Sequence, residues 1–229
     1  MWIRDRLVKV GLQGDIIFSK AYGEGGLHGR GPQITRLPSE GYLITGYRKQ
    51  AGSSRSDILV TKVNEDGEKL WSSVIGGSFS SEGYGTIVNP DGSFIVGANA
   101  QSSNNALSDV ALHGLDASGE VQWSKYYGTD NRSEQLKKII RTQDDHLVFV
   151  GSTDNSNKAL IAKADLNGDT LWYHEIDAGP LDDILNSVIE EDGGENLIAV
   201  GQTVPTPANL DVLMVKVRAA SLYPSSADE

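Results

Sequence analysis

The feature that most constrains this chain is that it repeats itself. DLNGDTLWYHEI at 165–176 is echoed by GLQGDIIFSKAY at 11–22, NEDGEKLWSSVI at 64–75 and DASGEVQWSKYY at 116–127. The aromatic falls at Phe18, Trp71, Trp123 and Trp172, in steps of 53, 52 and 49 residues. A second landmark, a glycine closing an apolar run, keeps the same beat at Gly46, Gly97, Gly151 and Gly201. A period near fifty residues implies a supersecondary unit that buries its faces only by stacking on its neighbours.

Each unit carries four short segments of strand character. In the second they are ILVTKV (58–63), KLWSSVI (69–75), YGTIVN (84–89) and SFIVGAN (93–99). Asp-Gly, Asn-Gly, Gly-Gly and Pro-Asp-Gly separate such segments and supply the positive backbone dihedral of tight hairpins. The 26 glycines among 229 residues suit so many turns. No window sustains a helical apolar period, and SEQLKKII (133–140) is assigned as strand because its sister segments enter strands. ILVTKV, ALIAKA and VLMVKV are apolar at odd and even positions alike, so both faces of these strands are expected to be buried. Four-stranded antiparallel units covered on both faces describe an all-β chain built as the blades of a β-propeller.

These residues resemble the bacterial and archaeal β-propeller repeats that read roughly D-x-W-L-V-K-L-D-x-x-G-x-x-x-W-x-x-x-Y-G-G, then D-G-G-Y-I-x-x-G. The match is DILVTKVNEDGEKLWSSVIGG at 57–77 followed by PDGSFIVG at 90–97, and it recurs over residues 6–217. The resemblance implies mostly secreted or surface proteins of unassigned activity, hence an extracellular or cell-envelope setting, and it brings no catalytic residues. The chain departs from the pattern at Asp177, where Gly23, Gly76 and Gly128 stand in the other repeats, and at Gly114, where Lys9, Lys62, Lys163 and Lys216 recur. Asp144-Asp145 also replaces an Asp-Gly turn.

The repeats run about 6–57, 58–109, 110–158 and 159–211, followed by an extra strand at 212–217 and a polar, flexible tail at 218–229. RLVKV (6–10) and VLMVKV (212–217) are the same element twice, whereas a closed four-bladed ring needs it once. A compact four-bladed ring with a frayed or added strand is the favoured reading. The alternative is an arc of a larger ring, completed by a second copy or by further sequence, and its open strand edges would promote self-association.

A formal charge of -11 argues against nucleic acid and anionic membranes as partners. The absence of cysteine removes disulfides, thiolate catalysis and thiolate-bound metals. The start, MWIRDRLVKV, has no long apolar run, so neither a secretory leader nor membrane insertion is expected from it. Asp165, Asn167 and Asp169 have the alternate spacing of calcium ligands. Their sister slots hold Asn64, Asp66, Glu68, then Asp116, Ser118, Glu120, then Gly11, Gln13, Asp15, while the glycine at 14, 67, 119 and 168 never changes. Thr170 and Ile176 also stand where an EF-hand loop requires glycine and glutamate. A hairpin turn is therefore the reading, with calcium as the alternative and no other cofactor expected.

Trp71, Trp123 and Trp172 are read as packing between adjacent units in preference to stacking on sugars; Trp2 lies outside the pattern. The histidines, 28, 113, 146 and 174, fall in four different repeat slots and form no cluster. The acid pairs Asp144/Asp145, Asp182/Asp183 and Glu190/Glu191 are sequence neighbours, which on a strand point to opposite faces, unlike the facing carboxyls of a glycosidase. No G-x-S-x-G elbow leads into a helix. The recurring lysine reads as a repeated contact at the blade edge, the alternative being a charged ring around the channel. Asn131-Arg132-Ser133 matches a glycosylation acceptor. No catalytic or cofactor-binding residue is assigned. The expectation is a non-catalytic interaction or ligand-binding module for a protein or carbohydrate; the alternative is a carbohydrate-active hydrolase or lyase with its site in the central channel.

Overall fold

The computed structural model describes residues 5–22, 29–38, 40–49, 52, 55–101, 107–129, 131–154 and 157–219. Trp2, Gly23, His28 and positions 220–229 of the expected tail lie outside the described residues.

The chain is all-β. Its strands are β1 (Asp5–Val10), β2 (Ile16–Tyr22), β3 (Gly29–Leu37), β4 (Gly41–Lys49), β5 (Ser56–Val63), β6 (Lys69–Ile75), β7 (Ser81–Val88), β8 (Phe94–Ala100), β9 (Asp109–Leu115), β10 (Val121–Tyr127), β11 (Glu134–Arg141), β12 (Leu147–Thr153), β13 (Lys158–Ala164), β14 (Thr170–Ile176), β15 (Asp183–Glu190), β16 (Asn196–Thr206) and β17 (Asn209–Arg218). Among the described residues three sheets have four strands, in the orders β3-β4-β5-β6, β10-β9-β8-β7 and β11-β12-β13-β14, while β15-β16-β17 has three and β1-β2 two. Every sheet runs in chain order, as hairpin turns require. SEQLKKII is strand β11, as expected.

A four-stranded sheet draws two strands from one sequence repeat and two from the next, so the sheets are offset by half a unit from the repeat boundaries. A period in sequence carries no phase; only strand pairing sets where a unit begins. The C-terminal boundary also differs from expectation. β17 extends beyond 212–217 to Asn209 and Arg218, and Ala219 is buried, because its N–H donates to Glu195 O and its side chain joins the core.

The described chain forms two compact units, residues 1–106 with 111–124, and residues 107–110 with 125–229. In the first, Leu43, Ile58 and Val60 of β4 and β5 meet Phe94, Val96 and Ala98 of β8, with Leu37, Ala111 and Leu115 alongside. In the second, Val148, Val150, Ala159 and Ile161 of β12 and β13 meet Leu185, Val188, Leu197 and Ala199 of β15 and β16. Ile58 and Val60 occupy the repeat slots of Ala159 and Ile161, so each unit packs one sheet on another through the same positions.

Burial on both faces holds for β5, β9 and β13 but not for β17. Leu160, Ile161 and Ala162 are fully buried, whereas Val212 is 81% and Met214 68% exposed. The expectation for VLMVKV is thereby corrected. Apolar residues at both parities mark a strand that fits between two layers and a neighbouring strand. Among the described residues, β17 has no strand on its outer edge.

Candidate functional site

The hairpin slots come first, because the calcium reading rests on them. Asp165 Oδ1 accepts the backbone N–H groups of Asn167 (2.9 Å) and Asp169 (2.8 Å), and Gly168 takes a φ of 80°. Asn64 does the same for Asp66 and Glu68, and Asp116 for Ser118 and Glu120. Asp169 turns instead to Lys125, 2.7 Å away. The structure therefore uses Asp165 to shape the turn and Asp169 in an ion pair. Asp145 takes the left-handed place of glycine at φ 61° and forms the same turn, its N–H donating to Thr142 O. Aspartate tolerates that conformation better than most residues.

The turn glycine has a second reason to recur. A Cβ on Gly67 would lie 2.7 Å from Phe18, and one on Gly119 2.8 Å from Trp71. The aromatic of one fourth strand thus covers the turn glycine of the following hairpin. Tyrosines reinforce the contact: Tyr22 donates to Gly67 O and Tyr127 to Gly168 O. Trp172 is buried in the second unit's core, in line with the packing reading.

Three of the four recurring lysines make a contact within their own sheet, and Lys9 reaches the β5–β6 turn of the next. Lys62 Nζ lies 2.6 Å from Glu40, Lys163 2.6 Å from Asp144 and Lys216 2.8 Å from Glu191, and each acid sits between the first and second strands of that lysine's sheet. Lys9 donates to Glu65 O. In the sheet carrying Gly114 the indole of Trp123 lies where a Cβ would project, so no lysine fits there. Lys163 is buried and donates a second bond to Ala219 O. Burial by itself would raise the Asp144 carboxyl, but hydrogen bonds from Lys163, Thr142 and His146 outweigh it and hold the group well below the usual carboxylate range.

The three acid pairs separate onto different partners. Asp144 meets Lys163 while Asp145 meets Arg141 at 3.0 Å. Glu190 accepts the Gln143 N–H and Glu191 meets Lys216. Asp183 is buried and accepts the N–H groups of Ala178 and Gly179, while Asp182 offers its backbone carbonyl to Val204. His113 is buried against Ser124 Oγ at 2.8 Å, and burial lowers it to about 4. His146 lies 3.1 Å from Asp144, and His174 stacks beside Trp172. The described histidines do not converge.

The structure assembles one further set that sequence reasoning missed. The first strands β11 and β15 open with an acid in the same slot, Glu134 and Asp183, where β7 has Ser81 and carries its acid one residue later, at Glu82. Ser56 Oγ donates to Glu82, Glu134 N–H donates to Ser108 O, and Asp183 N–H to Asn157 O. The carboxylates of Asp57 and Asp109 lie over Gly76 and Gly128, where a side chain would collide with them. In β13 the aspartate slot holds Lys158 and the glycine slot holds Asp177, 3.9 Å apart. Asp177, a departure when read alone, is one half of a paired exchange. Aligning the starts of third strands with the ends of fourth strands would have shown it.

Glu134 is the most perturbed member. It is 1% exposed, lies 3.8 Å from Arg132 Nε and is pushed up to about 7, by burial first and also by Asp109 and Glu175. Arg132 is meanwhile held at 2.6 Å by Glu175, which Lys158 also approaches at 3.7 Å. Burial, followed by the charges of Glu134 and Glu175, raises Tyr173 to about 12. The arrangement can hold a proton on Glu134 near neutral pH, within a network that ties strand starts together. Asn131 of the glycosylation triplet is exposed beside it.

No protein-family model matches this sequence, and no curated protein matches it. Among solved structures the chain is similar to the crystal structure of a candidate exo-β-1,3-galactanase from Bifidobacterium bifidum s17. The identity is 16%, the match covers 85% of this chain and 69% of that one, and the TM-score is 0.47.

Proposed function

We propose that the sheets are blades of a β-propeller of the repeat family the sequence resembles, and that the chain is a non-catalytic interaction or ligand-binding module of a surface or secreted protein. The observation that carries this reading is that the repeated charged groups hold the sheets together. Lys62, Lys163 and Lys216 meet turn acids within their sheets, and the opening acids and aspartates meet partners at the strand starts. What varies is the connection between second and third strands: QAGSSR at 50–55, QSSNNALS at 101–108 and DNSN at 154–157. Variable polar loops on rigid sheets are the usual place for recognition. A charge of -11 suits a neutral or cationic partner, protein or carbohydrate.

The carbohydrate-active reading has one observation on its side, the buried Glu134 carboxyl, raised to about 7, beside Asp109. One experiment separates the two. Replacing residues 102–106 by a Gly/Ser segment of equal length, which leaves Gln101 and Ser108 in place, is expected to abolish binding on a glycan array or a panel of purified surface proteins, with the melting temperature unchanged. Release of reducing ends from an oligosaccharide panel, abolished by Glu134→Gln in a folded protein, would overturn the non-catalytic reading.

A further inference from the structure

We propose that Asn167 is this chain's site of spontaneous deamidation, and that the Tyr127 hydroxyl, by pinning Gly168, restrains the reaction while the β13–β14 hairpin stays closed. The proposal is independent of what the module binds.

An asparagine followed by glycine is the pair most prone to lose its amide, because glycine has no side chain to hinder attack by its own backbone nitrogen. Asn167-Gly168 is the only such pair in the sequence. The sister turns hold Gln13, Asp66 and Ser118 before the same glycine. Glutamine would have to close a larger ring, serine has no carbonyl to attack, and aspartate has no amide to lose. Asn167 is exposed at its turn, so its carboxamide meets water.

The reaction balances with water as the only co-reactant. The Gly168 nitrogen loses its proton and bonds to Cγ of Asn167, the Cγ–Nδ2 bond breaks, and ammonia leaves. Water then opens the cyclic imide at either carbonyl. One product is aspartate; the other is isoaspartate, in which the backbone runs through the former side chain.

The hairpin opposes the first step. Gly168 N–H donates to Asp165 O at 3.1 Å, which ties down the attacking nitrogen. Asn167 donates its own N–H to Asp165 Oδ1 at 2.9 Å and Nδ2 to Oδ2 at 3.4 Å, holding the carboxamide beside a carboxylate that disfavours a deprotonated amide. Tyr127 acts from another strand, β10. It is buried, and its hydroxyl donates to Gly168 O, fixing the buried glycine from its far side. Ring closure needs the Gly168 nitrogen to leave Asp165, so the reaction draws on molecules whose turn has opened locally. The isoaspartyl product lengthens the backbone between positions 167 and 168. It cannot keep both the Tyr127 bond to Gly168 and the Lys125–Asp169 pair in place.

Peptide mapping by mass spectrometry tests this in one mildly alkaline buffer, with and without urea. In urea the first asparagine to convert is expected to be Asn167, and folded wild type should convert more slowly. Folded Tyr127→Phe is expected to react about fivefold faster than folded wild type, the effect of one lost hydrogen bond on the opening equilibrium. Tyr22→Phe removes the same contact from Gly67 and should leave the rate at Asn167 unchanged. Another asparagine converting ahead of Asn167 in urea would overturn the site. Equal rates for folded and unfolded wild type, no acceleration in folded Tyr127→Phe, or the same acceleration in Tyr22→Phe would overturn the restraint. The wild-type comparison decides by itself if Tyr127→Phe does not fold.

Discussion

β13 and β17 are the same strand of the repeat with opposite fates. Ile161 in β13 is fully buried, and Met214, its counterpart in β17, is 68% exposed. Lys163 is buried against Asp144, and Lys216, its counterpart, makes its pair with Glu191 in solvent. The two strands are comparably apolar, so the difference lies in what stands beside them. β14 lies on the outer edge of β13, whereas among the described residues β17 is the last strand of its sheet. Burial in a repeat of this kind is conferred by the neighbour.

The sharpest way to break this comparison is to truncate both strands. Ile161→Ala is expected to cost about 2–5 kcal/mol in urea denaturation, and Met214→Ala less than about 0.5 kcal/mol. Equal losses at high protein concentration would mean that β17 is covered in solution. A histidine probe comes next. His113 sits in the covered slot and is lowered to about 4, so the unfolded chain binds more protons than the folded one between that value and its ordinary value near 6.5. Stability should therefore fall, on the order of 3 kcal/mol, as pH drops through that window. NMR titration of Val215→His, the same slot in β17, should show an ordinary histidine.

Glu134 acts with the opposite sign. Raised to about 7, it withdraws stability as pH climbs from the ordinary glutamate range to that value, and Glu134→Gln should flatten that limb of a stability–pH profile. Removing the lysines is a smaller test. Lys163→Met leaves Asp144 without its cation and is expected to cost about 1–3 kcal/mol, against about 0–0.5 kcal/mol for Lys216→Met, whose pair is solvated. The smallest effect concerns the turn. Asp165→Ala should cost about 1 kcal/mol through its two backbone bonds and Asp169→Ala less, by thermal denaturation. A calcium-dependent rise in melting temperature that disappears with Asp169→Ala would return the loop to the ligand reading.

Much of the fold was legible because its signals are local. Turn glycines, alternating strand segments and the position of the aromatic need only neighbours in sequence, and they located the hairpins at Gly14, Gly67, Gly119 and Gly168 and strand β11. The strand starts were less legible. Glu134, Arg132, Glu175 and Asp109 come together from separate parts of the chain, and no spacing links them. Asp177 shows why: it looked like an isolated departure until the structure placed it beside Lys158.

By itself the sequence determined the repeat, the strand content and the residue in every turn, since these depend on backbone conformation and on a pattern that recurs every fifty residues. Only the tertiary structure decided where a sheet begins, which lysine is buried and which strand is left without a neighbour. Those outcomes depend on pairing and desolvation between distant segments. VLMVKV reads like its sister strands, but an apolar strand is buried only when another strand and another sheet are there to exclude water from it.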